Sequence, residues 1–337
     1  MLKKEGNFGM KKSFDSKKFL SQNSIWLVLI AMVAIVTIAR PVFMTASNIE
    51  TLLTGESVKG ILACGIMWCI LSGGNDLSAG SVVALVSVVT ASLAQDADAV
   101  NRLLGEGEPW AAGFIILVGI AIGLVVGVSQ GAIIAYTKIP PFIATLGGQL
   151  ICRAASKMYS TQPVSKLTDS FRFFGRNKIG GVVPVIVIVF LIFFAVNAFM
   201  LNQTRFGKNV FAVGGNVQAA RVAGINVEKT LIKVYAWSGV MAAIGGILLA
   251  GRTGSADPST YGLNYELDAI AAATIGGTSH SGGIARISGV LCGILIMGVI
   301  NNGLVLMAVN DNLTNVIKGV IMIGAVAFDM RKNAKRA

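Results

Sequence analysis

Apolar residues run along this chain in blocks separated by short polar breaks. The blocks fall at about 19–39, 58–71, 81–94, 110–136, 142–159, 182–201, 231–250, 267–275, 287–309 and 313–328. Runs near twenty apolar residues predict membrane-spanning helices, because in lipid each backbone amide must be satisfied within the protein. The pattern therefore predicts an all-α polytopic membrane protein of about ten transmembrane helices, some of them short or broken. Block 58–71 is short and ends in Ser72-Gly73-Gly74-Asn75-Asp76, and block 267–275 is shorter still and holds Asp268. Block 142–159 is interrupted by Gln149, Arg153 and Lys157, and reads either as a span or as a re-entrant segment. An even number of spans puts both chain ends on one side. The organisation expected is a basic leader at 1–18, a transmembrane domain at 19–329 containing a polar loop at 202–230, and a basic tail at 330–337.

Two patterns within the blocks concern packing. Gly119, Gly123, Gly127 and Gly131 recur at every fourth position of the fourth block. In water such glycines weaken a helix, but in lipid they form a flat ridge where a second helix can approach closely. Residues 73–80 and 276–283 share the pattern GGxxxSxG, each after a short block and before a fuller one. Short, glycine-interrupted segments at matching places in two halves point to an internal repeat around a transport path. The other reading is ordinary turn chemistry in a chain with 40 glycines.

The polar loop between the sixth and seventh blocks contains a miniature helix with its own punctuation. Asn216 can cap its start and Gly224 can close its end in the left-handed conformation. Between them lie Ala219, Ala220, Ala223 and the charged Arg221. Such a helix fits the cleft of a partner protein, with the small alanines allowing close approach and Arg221 able to pair with a carboxylate there. An ordinary basic loop is the alternative.

Composition agrees with a membrane protein: 54% of the 337 residues are hydrophobic and 13% charged. A net charge of +12 suggests nucleic acid at first sight. The cations, however, gather beside spans, as they do on cytoplasmic flanks, and no nucleic-acid partner is expected. Both termini are accordingly expected in the cytoplasm, and the acidic stretch holding Asp96, Asp98, Glu106 and Glu108 outside. Lys166, Arg172, Arg176 and Lys178 go against that rule if their loop is external. Cys64, Cys69, Cys152 and Cys292 lie scattered in apolar stretches without metal spacing and read as packing thiols.

Catalytic chemistry is sparse. The sequence contains no GxxxxGK[ST], HExxH or CxxC. His280 is the single histidine, so no histidine pair or cluster can form, and no catalytic residue, metal or cofactor is expected. Polar residues at membrane depth are costly and mark function. The candidates for a substrate path or gate are Asn75, Asp76, Gln149, Glu266, Asp268, His280, Asn301 and Asn302, with Lys318 beside them. Scattered amides and carboxylates suit hydrogen bonding to a neutral sugar.

Several stretches together carry a resemblance: GGNDLSAGS at 73–81, AYTKIPPFIATLG at 135–147, the 204–227 stretch, AGRTGSADPSTYGLNYELDAIAAATIGGTSHSGG at 250–283 and INNGL at 300–304. The chain resembles the permease subunits of bacterial monosaccharide ABC importers, the ribose/galactose/xylose group. YELDAIAA at 265–272 and the acidic loop after ASLAQDAD place it nearest the galactose/methyl-galactoside branch. The resemblance implies a homodimer in the lipid of the bacterial inner membrane, fed by an external sugar-binding protein and driven by a cytoplasmic ATPase subunit that uses the ATP. It places Asn216, Ala219, Ala220, Arg221 and Gly224 on the helix that docks on the ATPase. Asn75 stands where the galactose type usually has threonine and the ribose type isoleucine, and His280 where the group usually has an apolar residue. The competing classes are an ion-coupled secondary sugar transporter and a membrane enzyme acting on lipid-linked substrates. The first would want acids converging in the core; the second would need a polar catalytic cluster at an interface.

With no phosphate-cradling loop in the sequence, the chain purified free of partner subunits is expected neither to bind nor to hydrolyse ATP. Equilibrium nucleotide binding and phosphate release measured on such a preparation check this.

Overall fold

Helices form where the apolar blocks lie. The computed structural model describes residues 24–100, 102–105 and 107–334. In order the elements are α1 (Ser24–Ala39), a 3₁₀ turn (Pro41–Met44), α2 (Ala46–Leu71), α3 (Ala79–Leu93), α4 (Ala112–Thr137), α5 (Pro141–Tyr159), β1 (Val164–Ser165), α6 (Asp169–Arg176), β2 (Lys178–Ile179), β3 (Val183–Pro184), α7 (Val185–Gln203), α8 (Arg205–Gly215), α9 (Val217–Val222), α10 (Val227–Thr253), β4 (Ser255–Ala256), α11 (Tyr265–Ile275), α12 (Ile287–Leu306) and α13 (Asp311–Ala334). The expected leader lies outside the described residues, and α13 runs on into the expected basic tail.

Among the described residues, six helices are long and apolar enough to cross a bilayer: α2, α4, α7, α10, α12 and α13 as far as Arg331. The expected count of about ten spans is not confirmed by that measure. Two further apolar helices, α1 and α3, are shorter. The 19 residues of α5 include Gln149, Arg153 and Lys157, and α11 has only 11 residues.

The second block is the clearest departure from expectation. It was expected to be short, from residue 58, yet α2 starts twelve residues earlier, at Ala46, and has 26 residues. Thr45 caps its start by accepting from the amide of Asn48. The polar residues that hid this part of the helix, Glu56 and Lys59, face each other one turn apart at 3.3 Å inside the bundle. Their pairing lets the helix pass through apolar surroundings.

The bundle is built around α10, most of which is buried from Val234 to Gly251. The glycine ridge of α4 lies directly on it. A Cβ at Gly123 would run into the carbonyl oxygen of Gly239, and one at Gly127 into that of Tyr235. Gly119 faces Ile247, and Gly131 faces Ile232. Backbone thus meets backbone, which is what a spacing of four in lipid allows. On its other sides α10 carries α2, through Gly65 against Met241, and α3, through Gly246 against Val83.

Contacts along α10 also fix the height of the other elements. Asn75 and Asp76 meet Tyr235 and Ser238, whereas α6 meets Gly251 and Arg252 near the far end. At 1.5 Å per residue, Ser238 lies about 16 Å from the start of α10 and about 22 Å from its end. The break between α2 and α3 therefore sits at mid-bundle. So does Gly262, which abuts Gly80, so that α3 and α11 both begin inside the bundle.

Loops 94–111, 160–184 and 254–264 close one end. β1 pairs antiparallel with β4, β2 with β3, and the Thr168 amide donates to the Ala94 carbonyl at 2.9 Å. Three of the four anomalous cations of loop 160–181 lie near acids here: Lys166 pairs with Asp98 and Lys178 with Glu50 at 2.7 Å, while Arg172 lies 3.9 Å from Asp169. Lys166 also holds the Asp98 carboxyl below its usual range through their hydrogen bond. Local pairing thus offsets the charge in this loop.

The ridge generates a graded expectation. Gly123→Leu should separate α4 from α10 and destabilise the bundle by about 1–3 kcal/mol through overpacking. Gly113→Ala, where an added Cβ meets nothing within 4 Å, should leave stability unchanged. Thermal unfolding of the two variants in detergent compares them.

Candidate functional site

The short helices α8 and α9 project from the opposite end, and local turn chemistry fixes both. Thr204 caps α8 by accepting from the Gly207 amide at 3.2 Å. Asn216 caps α9, its side-chain oxygen accepting from the Ala219 amide at 2.9 Å. At the other end of α9, Gly224 adopts φ +79°. The Gly224 amide donates to the Arg221 carbonyl at 2.9 Å and the Ile225 amide to that of Ala220 at 3.0 Å, the paired bonds of a Schellman turn.

The two faces of α9 differ. Ala219, Arg221 and Gly224 are exposed. Ala220, expected to face outward with Ala219, is instead 2% exposed and packs with Val213 and Val227. Its smallness serves the seating of α9 on its own chain. Arg221 likewise has a partner within the chain, Glu228, with Nη2 and Oε1 2.6 Å apart. Val222 is 91% exposed, an apolar side chain presented outward at the polar end of the bundle.

The end of α8 reaches both glycine segments. Gly214 packs so tightly on the Leu71 carbonyl, the last of α2, that no Cβ could fit, and Gly283 lies against Gly214 and Gly215. The Gly283 amide donates to the same Leu71 carbonyl at 2.9 Å. The segments are alike in construction, though not in the register that the shared letters suggest. Gly73 closes α2 at φ +86° and Gly277 closes α11 at φ +88°. Gly73 and Gly74 donate to Ile70 and Cys69, as Gly277 and Thr278 donate to Thr274 and Ala273, again as Schellman turns. The equivalent residues are thus Gly73 and Gly277, one position off the alignment of the GGxxxSxG pattern. The second segment is also tied to α13, since Asp329 accepts from the Ser279 hydroxyl at 3.0 Å and the His280 amide at 3.1 Å.

The remaining polar candidates form separate groups rather than one cluster. Asp76 is 2% exposed; its carboxylate accepts from the Ser78 amide at 3.0 Å and from the Ser78 and Ser238 hydroxyls, each at 2.6 Å. Ser78 also lies 3.0 Å from the Gln130 side chain, so α4 joins the group. Asn75 accepts through its backbone carbonyl from Tyr235 at 3.3 Å, while its side-chain oxygen is buried without a partner. Gln149 donates to Glu266 at 3.3 Å, and Arg153, one turn on, donates to the Tyr261 carbonyl at 2.7 Å. His280 meets Thr274 at 2.8 Å. Asn302 exchanges two 2.9 Å amide bonds with Asn48.

Asp268 belongs to the most highly charged group. Lys59 and Lys318 both lie on its Oδ2, at 3.0 and 3.2 Å, and Lys59 also reaches Glu56, which accepts from Asn301 at 3.2 Å. This chain of charges links α2, α11, α12 and α13. Sequence reasoning missed Glu56, Lys59, Gln130 and Ser238. The signal for the first two was a charged pair at i,i+3 beside an apolar block. It also missed Asn197, whose side-chain oxygen accepts from both Trp68 at 2.7 Å and Trp237 at 2.9 Å; a lone amide inside block 182–201 was its signal.

The family model described as "Branched-chain amino acid transport system / permease component" matches residues 48–326, which hold every residue of the groups above except Asp329. The chain belongs to this permease family. The permease is 42% identical to the galactose/methyl galactoside import permease protein MglC of Escherichia coli K12, over 97% of this chain and 98% of that one. It is 37% identical to the ribose import permease protein RbsC of the same strain, over 95% and 97%, and 38% identical to that of Bacillus subtilis 168, over 92% of each. No solved structure matches it.

The charge chain predicts an asymmetry. Lys318→Met leaves Asp268 paired with Lys59, whereas Lys59→Met leaves Glu56 without a cation. Removing one partner of a buried pair costs about 3–5 kcal/mol, so Lys59→Met should approach that loss and Lys318→Met should cost about 1 kcal/mol or less. Thermal unfolding of the purified permease ranks the two.

Proposed function

We propose that this permease is the membrane subunit of an ABC importer that moves a monosaccharide, of the galactose/methyl-galactoside type, into the cytoplasm. It works as a homodimer in the bacterial inner membrane with both termini cytoplasmic. An external binding protein delivers the sugar, and a cytoplasmic ATPase docks on α8 and α9. The relatives supply the sugar class. The geometry supports the drive mechanism, and the joint at Gly214 carries it.

ATP-driven movement of a partner must reach the middle of the membrane. In this chain α9 is stiffened by a cap at each end and seated on Val213 and Val227 through Ala220. α8 then abuts the Leu71 carbonyl and Gly283, so a push on α9 falls on the turn after α2 and the turn after α11 at once. Both turns lead to half-bundle elements whose polar groups, Asp76 and its partners in one and His280 with Asp329 in the other, can rearrange by exchanging hydrogen bonds. The acids Asp76, Glu266 and Asp268 are held apart by hydroxyl, amide and ammonium partners respectively, which supports sugar handling over ion coupling. The exposed Val222 supports a protein partner on α9, since an apolar residue presented at a polar end fits an interface core.

Arg221→Glu removes a surface ion pair worth at most about 1 kcal/mol, and Val222→Asp changes only an exposed side chain, so both should fold normally. Both should reduce recovery of the ATPase with the tagged permease and lower uptake of radiolabelled galactose. Full ATPase recovery and full uptake in both variants would refute docking at α9. Galactose uptake unaffected by deleting the permease gene would refute the substrate.

A further inference from the structure

We propose that the permease holds one anionic phospholipid of the α8-side leaflet in a groove between α4, α7, α8 and α10. The groove encloses about 350 Å³ and is lined by Leu124, Met200, Phe206, Trp237 and Val240, with Lys233 among them. Lys233, Trp237 and Val240 line it along one side of α10. From Lys233 to Val240 is about 10 Å at 1.5 Å per residue, running from the polar end toward mid-bundle. The cation is thus at the polar end and the apolar lining runs inward, which is the order of headgroup and acyl chain in a phospholipid.

Charge complementarity selects an anionic headgroup. Lys229 lies one helical turn from Lys233 on the same face of α10, and Arg205 immediately precedes the lining residue Phe206. Arg205, Lys229 and Lys233 are exposed, and none forms an ion pair among the described residues. This contrasts with the other end, where Lys166 and Lys178 are paired with acids. Unpaired cations beside an apolar groove at the membrane surface attract lipid phosphate.

The walls tie such a lipid to the moving parts. Phe206 stacks on Trp68 with centroids 5.0 Å apart, and both Trp68 and Trp237 donate to Asn197. An acyl chain against Phe206 and Trp237 would therefore steady α8, the helix that carries Gly214. The inference does not depend on the identity of the sugar.

The test uses the full-length permease with Trp26 and Trp110 replaced by Phe, in phosphatidylcholine nanodiscs. The discs carry a minor fraction of phosphatidylglycerol, with bromine on the acyl chains of one lipid or the other. Quenching of Trp237 by brominated phosphatidylglycerol should exceed its share of the lipid several-fold. Lys233→Gln and Arg205→Gln should each lower that preference roughly fivefold, as expected for loss of one cation at the membrane surface. Lys166→Gln, at the other end, should leave it unchanged. Equal quenching by both brominated lipids would overturn the proposal, leaving a face bathed in bulk lipid. Absence of quenching by either would also overturn it, because the groove would then be covered by protein, such as the second copy. A preference that survives both Lys233→Gln and Arg205→Gln would place the anionic lipid elsewhere and equally refute the site.

Discussion

Where α4 crosses α10, two backbones touch with no side chains between them, and the rest of the bundle is positioned from that contact. Gly123 and Gly127 leave room for the carbonyls of Gly239 and Tyr235, which fixes both the distance and the axial register of the two helices. In lipid no hydrophobic effect favours one apolar helix pairing over another, so close van der Waals contact of this kind supplies the specificity. Once α10 is fixed, Ser238 is placed to receive Asp76, Tyr235 to meet Asn75, and Gly246 to face Val83.

The polar residues follow from a second constraint. A charge or amide within the bundle is stabilised by a partner inside the protein, and several of the partners come from other helices. Asp76 draws α3 and α10 together, Asn197 holds the indoles of α2 and α10, and Asp268 gathers lysines from α2 and α13. These groups act as joints: each is a set of hydrogen bonds that can be exchanged for others while the surrounding apolar packing stays intact. The glycine turns after α2 and α11 lie next to such joints and beneath α8, a position suited to passing a movement from the surface to the interior.

What was legible in the sequence was local. The caps at Asn216 and Gly224 could be read because capping depends on residues within one turn. The ridge of α4 could be read because its spacing alone defines a face. The true length of α2 could not, since Glu56 and Lys59 look like a boundary until Asp268 and Asn301, more than 200 residues away, are placed beside them. The orientation of Ala220 was hidden because α9 has six residues and exposes both of its valines, so its apolar positions do not mark the buried face. The doublet Gly73-Gly74 offered two registers for the comparison with Gly276-Gly277, and only backbone dihedrals choose between them. The distribution of the polar candidates into separate groups was equally unreadable, because each group is assembled from helices distant in sequence.

The lengths of the main helices have a consequence for the surrounding bilayer. With 26 and 27 residues, α4 and α10 extend about 39–40 Å at 1.5 Å per residue, against a hydrocarbon thickness of about 30 Å. A lone helix would relieve that mismatch by tilting. Here the glycine contact locks α4 to α10, so the helices can lean only as one body, and what remains of the mismatch falls on the lipid annulus. The protein thereby becomes a gauge of membrane thickness: longer acyl chains favour upright helices, shorter ones a greater lean. Any lean of α10 shifts its polar end, and with it α8 and α9, relative to the plane of the membrane.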